Sequence, residues 1–423
     1  MEKVPQTRWA WVEIDRGALR RNVRAFRGLL GPRQRLCCVV KADAYGHGAA
    51  ECARVMQSAG ADMFAVATVM EGVRLRESGV TLPILLLSEP PEGAIPLLLE
   101  HEIMPTVYTM EFALAYGEGA VQAGTVGKYH LAIETGMNRI GVHYTEALEF
   151  RRSIDFHRGL ACDGVFTHFA TADDVDGWDY RLQCKRFDEA VRAMQDAGLA
   201  CGTVHCDNTP ATMLDTTTRY DMVRVGIGLY GLQPCEAAAA RMPLEPVMSV
   251  RARITRTTHP AMGEGVSYGF TYRVPRTAVQ VCTIPLGYAD GLSRTLSNRM
   301  DVLYRGERAH QVGNICMDQC MFAIQQTPIH QIPEAEHGDM VTIIGRDGDA
   351  EITMDEMARL RGTINYEVPL GCAGAAAPNP RSRRQGAHAV AGSEARNPRW
   401  ASCIFPGTRT RNRVRCRWRR FAP

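Results

Sequence analysis

Lys41 follows an apolar run at positions 37–40, Cys-Cys-Val-Val, and precedes the glycine-containing stretch Ala-Asp-Ala-Tyr-Gly-His-Gly. An amine at the end of a hydrophobic strand, beside a glycine-rich turn, is placed to lose its proton and act as a nucleophile. The same position also suits a structural lysine that buries its aliphatic stem and keeps its ammonium group in water. The residues around Lys41 therefore indicate nucleophilic chemistry without excluding a structural role.

Four later segments place polar or charged side chains directly after apolar runs. They are 134–141 with Arg139, 167–173 with His168, 205–209 with Asn208 and Thr209, and 223–231 with Arg224, Gly226 and Ile227. Arginine presents a planar, permanently charged fork that suits an oxyanion, and a threonine hydroxyl can donate a hydrogen bond. Each of these residues, taken alone, is also consistent with a structural role.

Three segments further along the chain, 266–269, 287–291 and 365–369, contain Tyr268, Tyr288 and Tyr366, and a fourth, 315–319, contains Met317. A tyrosine hydroxyl can exchange a proton, but an isolated tyrosine is more often a packing residue. The sequence predicts no metal site, because the histidines at 47, 130, 168 and 205 have no ligand-like spacing with one another or with Cys206.

Apolar strand-like runs alternate with amphipathic helical stretches between Asp15 and about Tyr230. Eight strands are predicted, at 37–41, 63–68, 83–88, 104–108, 129–134, 164–168, 203–207 and 222–226. Asp15 is a candidate N-cap for the first helix, and positions 180–198 have the periodicity of another. Buried parallel strands joined by helical crossovers predict an α/β fold, a (β/α)8 barrel with its functional residues at the carboxyl ends of the strands. The chemically interesting residues of the first part of the chain lie at or just beyond such ends.

After about Leu232, shorter alternating runs at 247–257, 278–284 and 340–344 predict a mostly β second domain. The predicted organisation is a barrel at 9–235, a β domain at 236–369 and an Arg/Ala/Pro-rich tail at 370–423. The tail lacks the periodicity of a packed core and is predicted to be disordered. A basic arm for nucleic acid is the alternative interpretation, but the tail contains no recognisable binding module.

The net charge of +3 hides an asymmetry. Positions 369–423 carry twelve Arg and one acid, Glu394, a net +11, which leaves −8 for the rest of the chain. The hydrophobic content of 45% is that of a globular protein. No run of about eighteen apolar residues predicts a transmembrane helix, the N-terminus lacks a secretory signal, and fourteen Cys without CxxC spacing suit reduced thiols. The sequence thus predicts a cytoplasmic protein.

From about Trp9 to Pro369 the chain resembles the alanine racemase family, most specifically at 39–48 and also at the other segments named above. The resemblance implies an enzyme that uses pyridoxal 5'-phosphate (PLP), with Lys41 carrying the cofactor covalently. It implies that the cofactor phosphate is held by Tyr45, Thr209, Gly226, Ile227 and Tyr366. Asn208 belongs to the same implied cofactor-binding set, and Thr209 stands where the family usually has Ser.

The resemblance also implies roles around the cofactor ring. Arg139 would meet the phenolic oxygen and, with the backbone of Met317, the substrate carboxylate. Arg224 would face the pyridine nitrogen, to which a permanently protonated guanidinium can only donate. His168 would link Arg224 to the catalytic tyrosine. A pyridine nitrogen that stays unprotonated makes the ring a weaker electron sink, which suits racemisation better than transamination.

Inversion of a stereocentre needs one proton donor or acceptor on each face of the reacting carbon. The resemblance implies that Lys41 serves one face and that Tyr268, supplied by the partner subunit of a homodimer, serves the other. Tyr288 and Tyr366 are implied to narrow the entrance. The predicted activity is the interconversion of L- and D-alanine, which supplies D-alanine for cell-wall peptidoglycan. A small amino acid is the predicted substrate, and neither a nucleic acid nor a membrane is a predicted partner.

The sequence leaves three alternatives open: a racemase for serine or other small amino acids, a non-catalytic PLP carrier, and a PLP-binding copy with impaired catalysis. Tyr268 and the β domain argue against a carrier, which has no use for a second proton relay. Two departures from the family pattern motivate the impaired copy. Ala132 stands where many members have a modified lysine that steadies the arginine corresponding to Arg139. After Pro369, the chain has the character of a wrong-frame translation in place of the family's closing segment.

Overall fold

A computed structural model describes residues 8–215, 217, 220–275, 279–325 and 333–372. In the first part of the chain, eight parallel strands close into a barrel, because the first strand pairs with the eighth and the fourth with the fifth. The strands span Arg35–Val39, Met63–Val66, Ile84–Leu86, Ile103–Val107, Gly127–Glu134, Leu160–Phe166, Thr203–His205 and Met222–Val225. All eight overlap predicted runs, and the predicted (β/α)8 fold is confirmed. The predicted tail, 370–423, lies outside the described residues from 373 onwards. Its first residues, 370–372, are predicted to be disordered but lie in the helix Val368–Cys372.

Helices alternate with the barrel strands along the chain. They span Arg16–Leu29, Ala49–Ala59, Val69–Glu77, Ile95–Glu100, Met110–Gln122, Ala147–Asp155, Trp178–Asp196 and Thr209–Leu214. The predicted N-cap of the first helix is confirmed, since Asp15 Oδ1 accepts the N–H groups of Gly17 at 2.7 Å and Ala18 at 3.0 Å. A short strand, Val142–His143, pairs in parallel beside the fifth barrel strand.

The second sheet is antiparallel and contains nine strands within the described residues. They span Ala10–Ile14, Met248–Arg253, Arg256–Thr258, Val279–Ile284, Asp301–Tyr304, Glu307–Val312, Cys320–Gln325, Met340–Asp347 and Ala350–Ile352. The strand Ala10–Ile14 precedes the barrel in sequence but pairs with Met248–Arg253. The N-terminal segment therefore ties the start of the chain to the β domain.

The remaining elements are short. A small hairpin joins Gly265–Val266 to Tyr272–Arg273, and further helices span Glu236–Arg241, Met354–Arg361 and Val368–Cys372. Single 3-10 turns span Glu92–Ala94, Ile227–Tyr230, Tyr268–Phe270, Tyr288–Asp290 and Arg294–Leu296. Of the helices described here, none combines the length and the apolar character needed to cross a membrane.

The last described segment packs closely against the rest of the chain. Asn365 donates from Nδ2 to the carbonyl oxygen of Gln233 at 2.9 Å and to Oδ1 of Asp355 at 2.7 Å. A side chain on Gly291 would stand 1.9 Å from the carbonyl oxygen of Gly371, so only glycine allows the final helix to lie where it does. These contacts fix Tyr366 in the junction between the barrel and the β domain.

Candidate active site

Lys41 lies just beyond the first barrel strand, in which positions 36–38 are fully buried. Tyr230 holds the end of this strand, because its hydroxyl donates to the carbonyl oxygen of Val39 at 2.9 Å. Burial lowers the pKa of the Lys41 amine and the positive charge of Arg139 lowers it further, while the carboxylate of Glu71 acts in the opposite direction. The amine therefore loses its proton more readily than an exposed lysine, as a nucleophile requires.

The backbone after Lys41 takes a left-handed turn. Positions 42–45 all have positive φ, between 51° and 56°, although none of them is glycine. This conformation costs about 1–2 kcal/mol for each such residue. Within the turn Ala44 N donates to Val40 O at 2.9 Å, and at its end Asp43 Oδ1 accepts from Ala49 N at 2.7 Å. Strain of this kind persists where the surroundings enforce it, and it is concentrated at functional sites.

The turn brings the Tyr45 hydroxyl close to Gly226, at the end of the eighth strand. A side chain on Gly226 would stand 2.6 Å from Tyr45 Oη, so glycine is required for this approach. The Gly226 N–H donates to Oγ1 of Thr209 at 3.0 Å, which leaves the hydroxyl proton of Thr209 for another acceptor. Ile227 begins a 3-10 turn directly afterwards. Burial raises the pKa of Tyr45, and the nearby Tyr366 adds to the increase. The residues predicted to hold a phosphate are thus neighbours.

Arg224 extends from the eighth strand into the barrel, where its side chain is only 4% exposed. Nη2 donates to the carbonyl oxygens of Thr167 at 2.8 Å and Cys206 at 3.0 Å, and Nη1 donates to Nδ1 of His205 at 2.8 Å. Within the described residues no carboxylate forms an ion pair with Arg224. Burial therefore lowers the pKa of the guanidinium, and neutral acceptors hold it in place.

The contact with Arg224 decides the tautomer of His205. Because a guanidinium has only donors, Nδ1 of His205 must accept, and its proton is placed on Nε2. Nε2 lies 2.8 Å from Nδ1 of His130 and donates to it. Burial, with Arg224 as the next cause, lowers the pKa of His205 far below the ordinary value. Both rings are therefore neutral links in a hydrogen-bonded chain that ends at Arg224.

His168 follows the sixth barrel strand and lies beside Arg224, with 3.3 Å between its Nδ1 and Nη2 of the arginine. Burial lowers the pKa of His168 to about 3, and the positive charges of Arg224, Arg139 and Lys41 contribute. The ring is therefore neutral at neutral pH, and its Nδ1 is an acceptor. Gln183 supports the segment by donating to the His168 carbonyl oxygen at 3.2 Å and accepting from Ala170 N at 2.9 Å.

Arg139 lies in the loop after the fifth barrel strand, and its side chain is exposed. The carboxylate of Glu134 shapes this loop, because it accepts the N–H groups of Gly136 and of Arg139, the latter at 3.3 Å. Ala132, in the strand below, is 2% exposed and lies in the barrel wall. Among the described residues no carboxylate forms an ion pair with the Arg139 guanidinium, which is available for an external anion.

Tyr268, Tyr288 and Met317 lie together on the β domain and are 73%, 43% and 54% exposed. The Tyr288 N–H donates to the carbonyl oxygen of Cys316 at 3.0 Å, and Asn314 Nδ2 donates to the carbonyl oxygen of Tyr268 at 2.7 Å. No hydrogen bond, ion pair or ring contact among the described residues joins Tyr268 to Lys41. A single chain thus forms no such bond between the two predicted proton-transfer residues within the part of the chain that the structure describes.

Asn208 uses its side chain for the fold. Its Nδ2 donates to the carbonyl oxygen of Phe169 at 3.3 Å, and its Oδ1 caps the following helix by accepting from Ala211 N at 3.2 Å. The structure thus shows how Asn208 fixes the loop that presents Thr209.

Three residues that shape the site were missed by the sequence reasoning: Glu71, Tyr230 and Gln183. The spacing of Thr68 and Glu71 is the signature of a helix capping box, so it indicated a helix start at this position. No local pattern indicated that the same carboxylate reaches the backbone after Lys41. Tyr230 lies in the segment 223–231, but no local pattern indicated its bond to Val39, and the position of Gln183 had no recognisable signal.

The sequence matches two family models, alanine racemase, N-terminal domain, over residues 14–234 and alanine racemase, C-terminal domain, over residues 247–377. Similar curated proteins include the alanine racemase of a Synechocystis species, 41% identical over 86% of this chain and 96% of the relative, and that of a Nostoc species, 39% identical over 86% and 93%.

Similar solved structures include an alanine racemase from E. faecalis, with a TM-score of 0.81, 33% identity and coverage of 89% of this chain and 99% of that one. Another is the alanine racemase of Bacillus anthracis with bound L-Ala-P, with a TM-score of 0.81, 34% identity and coverage of 87% and 94%. The sequence matches and the similar solved structures thus both extend over the barrel and the β domain.

Proposed function

The chain belongs to the alanine racemase family, whose members are PLP-dependent isomerases, and we propose which of its residues carry out the racemisation of alanine. The barrel, predicted at 9–235, holds the cofactor in this proposal, and the β domain, predicted at 236–369, supplies Tyr268 and Met317. The observation that carries the proposal is the convergence of the Lys41 amine, the Tyr45 hydroxyl and the buried Arg224 at one end of the barrel.

The residues at this end fit PLP. The cofactor has a phosphate, a pyridine nitrogen and a carbonyl carbon that combines with an amine. The hydroxyl groups of Tyr45 and Thr209 both lie beside Gly226, whose lack of a side chain allows Tyr45 to approach, and two hydroxyl donors suit a phosphate. The buried guanidinium of Arg224 can donate to the pyridine nitrogen, and Lys41 provides an amine with a lowered pKa. We assign the cofactor to Lys41, Tyr45, Arg139, His168, Asn208, Thr209, Arg224, Gly226, Ile227 and Tyr366.

When bound, PLP supplies an electron sink that lowers the cost of removing the α proton of an amino acid. Lys41 Nζ accepts or returns that proton on one face of the substrate. The lowered pKa of the amine, caused mainly by burial, lets it alternate between the two protonation states. Because Lys41 lies at the end of a rigid strand, its reach towards the α carbon is restricted to one side.

Tyr268 serves the opposite face, and we propose that it comes from a second subunit. Its exposure of 73%, and the absence among the described residues of a hydrogen bond or ring contact with Lys41, support this arrangement. A homodimer with two-fold symmetry would place the Tyr268 surface of each subunit at the barrel of the other. Met317 and Tyr288 lie on the same surface, where the Met317 backbone would help to bind the substrate carboxylate and Tyr288, with Tyr366, would narrow the entrance.

Arg139 and Arg224 have different electrostatic roles. The exposed guanidinium of Arg139 is free to bind the substrate carboxylate. Arg224 is held by four acceptors and can only donate to the group above it. His168 accepts from Arg224 and stays neutral, so it can position a tyrosine hydroxyl without adding a charge.

We propose a cytoplasmic role in supplying D-alanine for peptidoglycan. The support is the family relationship, since the curated relatives are named alanine racemases. A broader specificity for serine or other small amino acids is not favoured by these relatives.

The test is to incubate the full-length protein, loaded with PLP, with L-alanine and separately with L-serine, and to measure the D-amino acid formed. D-alanine is the expected product, at a rate well above that of D-serine, and Lys41→Ala should form none. In deuterated water, the α carbon of alanine should gain deuterium as the enantiomers interconvert. Failure to form D-alanine would overturn the proposal.

A further inference from the structure

Glu71 binds three backbone N–H groups from two different barrel loops. Its Oε1 accepts from Ala42 N at 2.7 Å, and its Oε2 accepts from Ala67 N at 2.8 Å and Thr68 N at 3.1 Å. Ala67 and Thr68 follow the second barrel strand, whereas Ala42 follows the first. One carboxylate therefore joins the end of the second strand to the residue directly after Lys41.

The bond to Ala42 is placed at the start of the left-handed turn. Positions 42–45 all adopt positive φ, which non-glycine residues avoid, so the turn needs bonds from outside to persist. The N–H of Ala44 bonds within the turn, and the N–H of Gly48 closes its far end on Asp43 O at 2.9 Å. The N–H of Ala42 bonds to Glu71, which makes this carboxylate the anchor of the turn at its Lys41 end.

Glu71 also acts on Lys41 by its charge. Arg139 and Glu71 are the charged groups that influence the Lys41 amine, with opposite effects on its pKa. Burial and Arg139 favour the neutral amine of Lys41, and Glu71 limits the decrease in its pKa. The Glu71 carboxylate thus influences the position of the Lys41 amine, through its bond to Ala42, and also the affinity of that amine for a proton.

We propose that Glu71 is a positioning residue for Lys41, which anchors the left-handed turn carrying Lys41 and Tyr45 in addition to capping a helix. The proposal deepens the proposed function and rests on its assignment of Lys41. It does not require Glu71 to touch substrate or cofactor.

The competing explanation is that Glu71 only caps the helix Val69–Glu77. In that capping box, Thr68 Oγ1 accepts from Glu71 N at 3.3 Å and Glu71 accepts from Thr68 N. The chain offers a matched control, because Thr68→Val removes the threonine half of the cap and leaves the carboxylate free to bind Ala42. Glu71→Gln keeps the size of the side chain but replaces one acceptor oxygen by an NH2 group, which cannot accept from a backbone N–H.

The experiment compares full-length, PLP-loaded wild type, Glu71→Gln and Thr68→Val. Hydrogen exchange measured by mass spectrometry reports on the peptide covering 41–48. The pH dependence of kcat for L-alanine reports on the proton affinity of Lys41, whose amine is free only when substrate has taken its place on the cofactor. Glu71→Gln should accelerate exchange in this peptide by about tenfold or more, since one anchoring bond is lost. Its kcat should fall by at least about tenfold, and the limb of the kcat profile that Lys41 controls should move to lower pH. Thr68→Val should lower thermal stability but leave exchange in 41–48 and the pH profile as in wild type.

Two results would overturn the proposal. In one, Glu71→Gln and Thr68→Val lose stability equally and neither changes exchange in 41–48. In the other, exchange changes but kcat of Glu71→Gln and its pH profile stay at wild-type values. Failure of the proposed function is distinguishable, because it would show as absence of D-alanine in the wild type, whereas the exchange measurement needs no turnover.

Discussion

Arg224 donates from Nη1 to Nδ1 of His205 across 2.8 Å, inside a barrel where both side chains are buried. The pairing is unusual because a buried guanidinium is generally expected to face a carboxylate. Here neutral acceptors surround it, so its charge remains available to a group at the mouth of the barrel. We therefore expect stability and activity to depend on whether residue 205 offers Arg224 an acceptor atom.

His205→Leu should be strongly destabilising, because it leaves a charged donor of Arg224 unpaired in the core. The expected loss in the free energy of unfolding is about 1–3 kcal/mol, measured by urea titration. His205→Asn is the matched control, since its amide oxygen can take the place of Nδ1 and accept from Arg224. We expect Asn to retain more racemase activity than Leu. Equal losses of activity in His205→Leu and His205→Asn would show that activity does not depend on an acceptor for Arg224 at this position.

Mixed dimers should recover activity that neither parent has. Lys41→Ala and Tyr268→Phe each disable one face of the site, and each homodimer should be nearly inactive. In a heterodimer with two-fold symmetry and shared sites, one site combines both changes and the other has neither. After unfolding and refolding of an equal mixture, we expect about a quarter of the wild-type activity, because half of the dimers are mixed and each has one intact site.

Recovery in the mixture requires that Lys41 and Tyr268 act from different subunits. A mixture that stays as inactive as its parents, while size measurements show that dimers have formed, would place both residues in the same chain. Refolded wild type, carried through the same procedure, gives the reference activity.

Stability should fall as the pH is lowered through the acid range, and His47 should contribute. Its Nδ1 lies 3.0 Å from the carbonyl oxygen of Ala44 and 2.9 Å from that of Tyr45, so this nitrogen carries the proton and donates to both. Burial lowers the pKa of His47 from 6.5 to about 4. Between these values the unfolded chain binds a proton that the folded chain does not, so stability is lost as the pH falls through this window. The contribution of His47 is of the order of 3 kcal/mol across it.

The measurement is the free energy of unfolding at several pH values between 7 and 4, for wild type and His47→Gln. At pH 7 the free energy of unfolding of His47→Gln should be lower than that of wild type, because the variant loses the two hydrogen bonds. On acidification this free energy should decrease less in the variant than in wild type. Part of the pH dependence of stability should remain in both proteins, because the pKa values of His168 and His205 are also lowered in the folded chain. His259→Gln, at a side chain that is 57% exposed, is the control and should follow the wild-type curve. Parallel curves for wild type and His47→Gln would contradict the prediction.

Gly226→Ala should weaken PLP binding more than it weakens the fold. The added methyl would stand 2.6 Å from Tyr45 Oη and force the hydroxyl away. The expected result is a decrease in PLP affinity of about tenfold or more, measured by equilibrium titration of the full-length protein. Gly28→Ala is the control, because nothing lies within 4 Å of its added methyl, and it should leave the affinity unchanged.

The combination of Gly226→Ala with Tyr45→Phe adds a second check. Removing the hydroxyl relieves the closest contact, so the two changes together should cost less than the sum of their separate effects. Strict additivity would indicate that Tyr45 does not approach Gly226 in solution.

Much of the architecture could be predicted because it depends on local pattern. The eight barrel strands are short apolar runs, and burial on both faces of a parallel sheet selects such runs wherever they occur. Asp15 was identifiable as an N-cap for the same reason, since the bonds that define a cap lie within three residues. The position of Lys41 at a strand end followed from the run that precedes it, and its family role followed from the segment at 39–48.

Other features depend on contacts between distant parts of the chain. The strand Ala10–Ile14 joins the second sheet through pairing with Met248–Arg253, and no local signal specifies a partner so far along the sequence. The sequence by itself determined the barrel, the family and the set of chemically competent residues, because side-chain type and local periodicity encode them. Only the tertiary structure decided how they are arranged: the left-handed turn after Lys41, its hydrogen bond to Glu71, the neutral acceptors around Arg224, and the exposure of Tyr268. These depend on distances between atoms far apart in sequence, and such distances are fixed only when the whole chain packs.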